Sequence, residues 1–478
     1  MEVAKKIDVL LEQDWRTEDL RPAEPATDEE FLRRANLDLI GRIPTVAEAR
    51  KFLSQPAAQR REILITELLQ SRRHEEHMAR SWRRIWMPRS ENPEFRRRAQ
   101  AFDYWLATEM AEGQQYDHIV QRLMTASPVP SAGKVDLKSE NLTPALFLAT
   151  SDFEPEQLAA NSMRAFLGLN LDCAQCHNHP FARWKQTQFW ETAAFFARPS
   201  GEENARSEYF LKIPGTEETV VPQFLNGKSP SWPEEVDHRT GRELLARWLA
   251  SPENPFFAQN AVNRFWAIFF GAGLVEPLDD LSQPEFARHA EVLQVLSDAF
   301  ISSHFDFRYL TEVIVRTHWY QSTSRTREGM VTMPLRVLAG EQLYESLQVA
   351  AGFPADRFDL EDSAENWSHR EAFVAQFPNV DAGGQAERSR KQALALMNGM
   401  LTEQATWQTS SPFLQGLQAP FFDDESRIEA LFLSSFSRFP TAAERDSCLK
   451  FLASSENPDA ISNLFWALLN SSEFNTNH

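Results

Sequence analysis

The sequence predicts an all-α protein with two helical lobes and a small β-hairpin element between them. Amphipathic segments, with apolar residues at i, i+3 or i+4 and i+7, recur along most of the 478 residues. Helix starts of the capping-box type follow Thr27, Thr45 and Thr441, each with Glu three residues later. The best strand signal is one short stretch near residue 210. These three observations favour helices as the main structural element.

The amphipathic segments lie in both halves of the chain, and each has an apolar stripe that a helix can bury against a neighbour. They are 58–71, 99–112, 155–170, 286–304, 306–319 and 426–437.

Two helical hairpins are predicted from similar sequences far apart in the chain. Phe31–Leu53 reads FLRRANLDLIGRIPTVAEARKFL, and Ala430–Leu452 reads ALFLSSFSRFPTAAERDSCLKFL. In each, Arg-x-Pro-Thr-x-Ala-Glu separates two helical segments; proline ends the first helix and threonine caps the second. The two copies are either paired ends of the fold or a packing unit that is used twice, and we favour the second interpretation.

A β-hairpin is predicted from Glu208–Ile213, a Pro214-Gly215 turn and Glu218–Gln223. Turn-forming residues follow at 226–235, so we place the main boundary in this region. The predicted organisation is an N-terminal helical domain at 1–200, a hairpin and linker at 201–236, and a C-terminal helical domain at 237–478.

Composition excludes several classes of protein. The chain has 68 acidic and 49 basic residues, a net charge of −19, so we expect no binding to nucleic acid. The longest apolar run, Phe265–Val275, is about half the ~20 residues of a membrane-spanning helix, so no transmembrane segment is expected. The first residues, MEVAKKIDVLLEQDW, contain no apolar signal core and no cleavage site. Three cysteines exclude a disulfide framework.

The sharpest chemical signal is Cys-Ala-Gln-Cys-His at residues 173–177. Two thiols separated by two residues can add to the two vinyl groups of haem, and the adjacent imidazole can then bind the iron. The pattern therefore predicts a c-type haem held by Cys173, Cys176 and His177. The sequence selects no second axial ligand.

Three other interpretations of this segment remain open. A zinc or iron site would use the two thiolates with His177 or His179 as imidazole ligands. Thiol–disulfide chemistry would use Cys173 and Cys176, although no βαβ pattern surrounds them. Alternatively, two buried thiols and a hydrogen-bonded histidine are structural parts of a tight turn.

Aromatic side chains are dense after the motif, and they can either wall a haem in an aromatic pocket of the first lobe or belong to the ordinary core. They are Phe181, Trp184, Phe189, Trp190, Phe195 and Phe196.

The segment CAQCHNHPFARWKQTQFWETAAFFA resembles the core motif of a planctomycete family with two consecutive domains, the domains of unknown function 1549 and 1553. The first is also called planctomycete cytochrome-C-associated. FLRRANLDLIGRIPTVAEARKFL is similar to its N-terminal signature, and NRFWAIFFGAGLVEPLDDL, IVRTHWYQSTSR and LFWALLNSSEFNTNH are similar to the second domain. The resemblance implies exported proteins that occur beside cytochrome-c-like modules in organisms rich in polysaccharide-degrading genes. It implies no particular reaction.

We therefore expect a c-type-haem-binding redox or electron-transfer protein, periplasmic or otherwise exported, with a cytochrome or other redox protein as partner. The alternatives are a zinc- or iron-binding accessory protein or enzyme of polysaccharide degradation, and a non-catalytic scaffold. No catalytic residue is assigned from the sequence.

Overall fold

The fold is predominantly helical, as the sequence predicts: 60% of the residues lie in helices and 4% in strands. The structure is a computed structural model. It describes residues 2–87, 93–126, 144–151, 153–197, 206, 209–282, 287–354, 370–377, 390–455 and 457–478. Within these residues, none of the helices combines the length and the apolar character needed to cross a membrane.

Helices in the first half of the chain are α1 (Glu2–Thr17), α2 (Asp28–Ile40), α3 (Val46–Ser54), α4 (Arg60–Leu69), α5 (Arg72–Trp86), α6 (Pro93–Ala111), α7 (Tyr116–Thr125), α8 (Leu146–Ala149), α9 (Pro155–Ser162) and α10 (Gln186–Ala193). Those in the second half are α11 (Thr240–Leu249), α12 (Pro255–Phe270), α13 (Ala290–Ser302), α14 (Phe307–Val315), α15 (Gly340–Ala351), α16 (Arg390–Asn398), α17 (Met400–Thr406), α18 (Pro412–Leu417), α19 (Asp424–Phe436), α20 (Ala442–Ser454) and α21 (Ala460–Leu469).

The strands are two residues long and form three separate pairs. They are β1 (Arg21–Pro22), β2 (Leu211–Lys212), β3 (Thr219–Val220), β4 (Met330–Val331), β5 (Arg336–Val337) and β6 (Thr476–Asn477). β1 pairs with β4 in parallel, while β2 with β3 and β5 with β6 are antiparallel. The predicted hairpin is therefore present as β2 and β3, with Leu211 opposite Val220.

The chain forms two compact units, and each draws on separate stretches of sequence. Unit 1 contains Met1–Leu10, Met78–Ile268 and Ala272–Val313, and unit 2 contains Leu11–His77, Phe269–Gly271 and Ile314–His478. Each unit contains residues from both predicted helical domains, because compactness depends on which helices pack together and not on their order in the chain.

The core of unit 1 is built around aromatic rings. Trp82 is fully buried, and its ring lies 5.2 to 5.5 Å, between centroids, from the rings of Trp86, Tyr116, Phe265 and Phe307. Tilted and edge-on pairs of this kind add to the stabilisation that comes from removing large apolar surfaces from water. The cluster ties α5, α7, α12 and α14 into one core.

Unit 2 contains both helical hairpins. Thr45 and Thr441 each accept the amide of a Glu three residues later, and the Glu carboxylate binds the threonine amide in return. Gly41 and Ser437, which end the first helix of each hairpin, both have positive φ, +73° and +62°. The two hairpins thus have the same local structure, and both capping-box predictions are confirmed.

The third predicted capping box forms only in part. Thr27 accepts the Glu30 amide at 3.2 Å, but the Glu30 carboxylate does not bind the threonine amide in return. Instead it accepts Arg34 Nη2 at 2.9 Å and the backbone amide of Ser324 at 2.6 Å. A buried arginine in the next turn of α2 provides a stronger partner than the helix end does.

Candidate functional site

The cysteine loop, residues 171–184, follows an irregular helix end in unit 1. After α9, residues Met163–Leu167 form a π-helical turn, a feature often found at functional sites. Gly168 then has φ +62°, and a Cβ there would lie 2.7 Å from Asn260 Oδ1. The Gly168 carbonyl accepts the Leu281 amide at 2.7 Å, so the chain entering the loop is fixed by close packing on α12 and on residue 281.

Both cysteines of the motif lie on one short turn at the protein surface. Residues Asp172–Gln175 form a 3₁₀-helix, and the amides of Cys176 and His177 both point to the Cys173 carbonyl at 3.4 Å. Cys173 thus lies within the 3₁₀ turn, and Cys176 is the residue that ends it. Both thiols are free and exposed.

Side chains of α10 donate hydrogen bonds to the carbonyl groups of this turn. The Gln186 side-chain amide donates to the carbonyls of Gln175 (3.3 Å) and Cys176 (3.0 Å), and Trp190 Nε1 donates to the Gln175 carbonyl at 3.0 Å. The Gln186 backbone amide in turn donates to Asn178 Oδ1 at 3.0 Å. These bonds satisfy the end of the 3₁₀ turn and leave the two thiols uncovered.

The exposed side chain of His177 has a defined tautomer. Its Nδ1 lies 2.8 Å from the Asn178 carbonyl oxygen, which can only accept, so Nδ1 carries the proton. In the neutral imidazole, Nε2 then keeps its lone pair. A histidine that donates Nδ1–H to a backbone carbonyl and offers Nε2 is the common form of a metal or haem ligand.

His179 has the opposite arrangement. Its Nδ1 accepts the backbone amides of Phe181 (3.3 Å) and Ala182 (2.9 Å), so in the neutral ring Nε2 carries the proton. Neither nitrogen then offers a lone pair to a metal. The sequence-based assignment of His179 as a metal ligand stays a prediction, and it requires release of these two amides.

Five of the six aromatic residues after the motif belong to the core. Trp184, Phe189, Trp190, Phe195 and Phe196 are all buried. For example, Phe195 stacks on Phe224, which stacks on Trp248, at 5.1 and 5.2 Å between centroids. Phe181 is different, with 85% of its surface exposed. The five buried side chains thus follow the ordinary-core interpretation of this aromatic stretch.

Direct metal ligands do not converge in the part of the chain that the structure describes. No group of three or more His, Cys, Asp or Glu side chains there has the spacing needed to hold a metal ion. Cys173, Cys176 and His177 share one loop but do not form such a group. Gln186 and Asn178 also shape the loop, but neither has a signal in the sequence, because a side chain that binds a backbone group elsewhere in the fold leaves no local pattern.

The comparisons with known proteins match two regions of the chain. Residues 6–200 match the family model "PSCyt2: Protein of unknown function (DUF1549)", and residues 241–359 match "PSD1: Protein of unknown function (DUF1553)". No curated protein and no solved structure matches. The two matched domains follow each other in the order that the resemblance implies.

Proposed function

From the premise that the chain belongs to the two-domain family in which DUF1549 precedes DUF1553, we propose that its cysteine loop is an attachment site for c-type haem. Cys173 and Cys176 would hold the haem through two thioether bonds, and His177 Nε2 would bind its iron. The protein then transfers single electrons to or from a cytochrome or another redox protein. Because both families are described as of unknown function, the proposal depends on the geometry of the loop.

The tautomer of His177 is the observation that carries the proposal. Its Nδ1 proton is bound by the Asn178 carbonyl at 2.8 Å, and its Nε2 lone pair is available on an exposed ring. The hydrogen bond also fixes the tautomer and the orientation of the ring. The imidazole of the haem-free chain therefore already has the tautomer and the orientation that iron binding requires.

The two thiols have the exposure and spacing that the covalent chemistry needs. Each Sγ–H would add across one vinyl double bond of the haem, with sulfur bonded to the vinyl carbon next to the porphyrin and the proton on the terminal carbon. No group leaves, and there is no net oxidation. Haem so bound supplies a centre that cycles between ferrous and ferric iron.

Haem suits the arrangement of the loop better than a bare zinc or iron ion does. A bare ion needs three or four protein ligands within about 2.0–2.3 Å, and the described residues contain no such group. Thioether sulfurs lie at the edge of the porphyrin, so Cys173 and Cys176 need not converge with His177 on one point. The zinc or iron site is therefore the second candidate.

The surface location of the loop favours electron transfer over chemistry in an enclosed pocket. The thiols and His177 are exposed, and Phe181 presents an apolar ring in the same loop. A haem held at the surface could come close to the redox centre of a partner protein, as electron transfer requires. We also propose an exported or periplasmic location, because thioether attachment normally takes place outside the cytoplasm.

The test is production of the chain with an export signal in cells that carry out c-type haem attachment. One bound haem should add about 616 Da to the intact mass and give a pyridine haemochrome spectrum. The Cys173→Ser, Cys176→Ser double variant should gain no mass, and His177→Ala should lose the spectrum of an axial imidazole. Cys448→Ser and His238→Ala are matched controls, because they remove a cysteine and an exposed histidine outside the loop.

An exported wild-type chain with no added mass and no haem absorbance would rule the proposal out. Stoichiometric zinc or iron in that same chain, lost in the double cysteine variant, would establish the second candidate instead. Neither outcome depends on identifying the redox partner.

A further inference from the structure

His179 closes the second half of the cysteine loop with three hydrogen bonds. Its Nδ1 accepts the amides of Phe181 (3.3 Å) and Ala182 (2.9 Å), and its own amide donates to the Trp184 carbonyl at 2.8 Å. The Trp184 indole is buried and donates to Ser282 Oγ at 3.1 Å. Residues 179–184 are therefore held together and anchored at their far end.

The acceptor pattern of His179 is that of a capping side chain. An Asn or Asp side chain in an Asx turn accepts the amide two residues later, and a helix cap accepts the amide two or three residues later. The His179 ring nitrogen accepts both of these amides. The imidazole Nδ1 of His179 thus accepts the amides that the side-chain oxygen of Asn or Asp accepts in such caps.

The two histidines of the loop therefore have different chemical tasks. His177 donates from Nδ1 to the Asn178 carbonyl, whereas Nδ1 of His179 accepts. The Asn178 residue that orients His177 lies directly before His179, and its side chain accepts the Gln186 amide. The backbone at 178 is thus fixed on one side by α10 and on the other by the His179 cap.

We propose that His179 is a positioning residue: it holds residues 179–184 in place, and through the Asn178 carbonyl it maintains the Nδ1–H tautomer of His177. The importance of that tautomer for haem rests on the proposed function, but the positioning role does not. In this role the Nδ1 lone pair of His179 is used by the amides of Phe181 and Ala182.

The test uses the haem-free chain with His179→Ala and His179→Asn. The asparagine Oδ1 can accept the same two amides, whereas alanine cannot. His238→Ala removes an exposed histidine of unit 1 that lies outside the loop, and it is the control. Trypsin cleavage after Arg183 and Lys185, both exposed, reports opening of the loop, and NMR of the ring nitrogens at about pH 8 reports the neutral tautomer of His177.

We expect cleavage of His179→Ala to be at least about fivefold faster than that of the wild type, because the loss of even one of the two hydrogen bonds changes an opening equilibrium by about that factor. The His177 Nδ1–H tautomer should lose its predominance in the same variant. His179→Asn and His238→Ala should behave as the wild type in both measurements.

Three results would overturn the positioning role. The first is cleavage of His179→Ala at the wild-type rate, and the second is failure of His179→Asn to restore protection. The third is faster cleavage with an unchanged His177 tautomer, which would make His179 a purely structural cap. A wild-type chain that takes up no haem would defeat the proposed function and leave these results unaffected.

Discussion

Arg42 donates two hydrogen bonds of 2.8 Å to Glu48, whose carboxylate also accepts the amide that begins the next helix. Arg438 and Glu444 repeat this pair in the second hairpin at 2.9 and 2.7 Å. In both copies the arginine follows a residue of positive φ, so its side chain turns back over the corner. One carboxylate therefore stabilises both the helix start and the link between two helices.

This pairing predicts an acid-sensitive contribution to stability. Hydrogen bonds from Arg42 oppose the effect of burial and lower the pKa of Glu48 from 4.5 to about 2, and those from Arg438 lower the pKa of Glu444 likewise to about 2. A carboxyl whose pKa is lower in the folded state stabilises the fold above pH 4.5, and that contribution is lost as the pH falls towards 2.

We therefore expect Glu48→Gln to lower the melting temperature at pH 7 and to differ less from the wild type at pH 3. Glu67→Gln is the control, since Glu67 forms an exposed pair with Lys51 and should have little effect at either pH. Equal losses for Glu48→Gln at both pH values would contradict the assignment.

We expect truncation of Arg33 to lower the free energy of unfolding strongly. It is fully buried, and it donates to the carbonyls of Ser435 (3.0 Å) and Phe474 (2.6 Å), while burial lowers its pKa to about 10. Arg33→Met should cost about 2–4 kcal/mol in free energy of unfolding, because it leaves these buried carbonyls without donors.

Chemical denaturation monitored by tryptophan fluorescence measures this loss. The control is Arg16→Met, which removes an exposed arginine paired with Glu12 and should cost less than about 0.5 kcal/mol. Similar losses for the two variants would show that the Arg33 bonds contribute no more than a surface pair does.

We expect substitution of Gly168 to destabilise the fold by a steric clash as well as by backbone strain, and a second glycine allows the two effects to be separated. Gly168 and Gly113 both have positive φ, but a Cβ at Gly168 meets Asn260 Oδ1 at 2.7 Å, whereas nothing lies within 4 Å of one at Gly113. Gly113→Ala should therefore cost about 1 kcal/mol from strain alone, and Gly168→Ala about 1–3 kcal/mol more. Thermal unfolding of both variants tests this, and equal shifts would refute the clash.

Thiol labelling should distinguish the three cysteines in the haem-free chain. Cys173 and Cys176 are exposed, whereas Cys448 is 8% exposed and burial raises the pKa of its thiol. A maleimide should therefore add two labels to the native chain and a third only after unfolding, as counted by intact mass. Fewer than two labels in the native chain would contradict the exposed arrangement of the turn.

The sequence predicts the helical hairpins well because their signals are local. A proline, a threonine and a glutamate within a few residues determine where one helix ends and the next begins. Glu30 shows the limit of this reasoning, since Ser324 and Arg34 take the carboxylate that the pattern assigns to Thr27. Ser324 is almost three hundred residues away from Glu30, so a local motif cannot predict this hydrogen bond.

The candidate site, likewise, can be predicted from the sequence only where its signals are local. The spacing of Cys173, Cys176 and His177 is visible in the sequence, but their exposure and the tautomer of His177 depend on Gln186, Trp190 and the Asn178 carbonyl. The aromatic residues after the motif illustrate the opposite problem. Their density suits a pocket wall or a core equally well, and only packing decides that Phe195 and its neighbours lie in the core.

The π-helical turn at Met163–Leu167 lets the chain before the motif tolerate a change in length. Such a turn accommodates one residue more than a regular α-helical turn does. Deleting one residue there would restore ordinary helical bonding and leave the residues that follow at the same angle about the helix axis. The same deletion in regular α-helix would rotate everything after it by about 100°, and the sulfur atoms would then face another side of the unit.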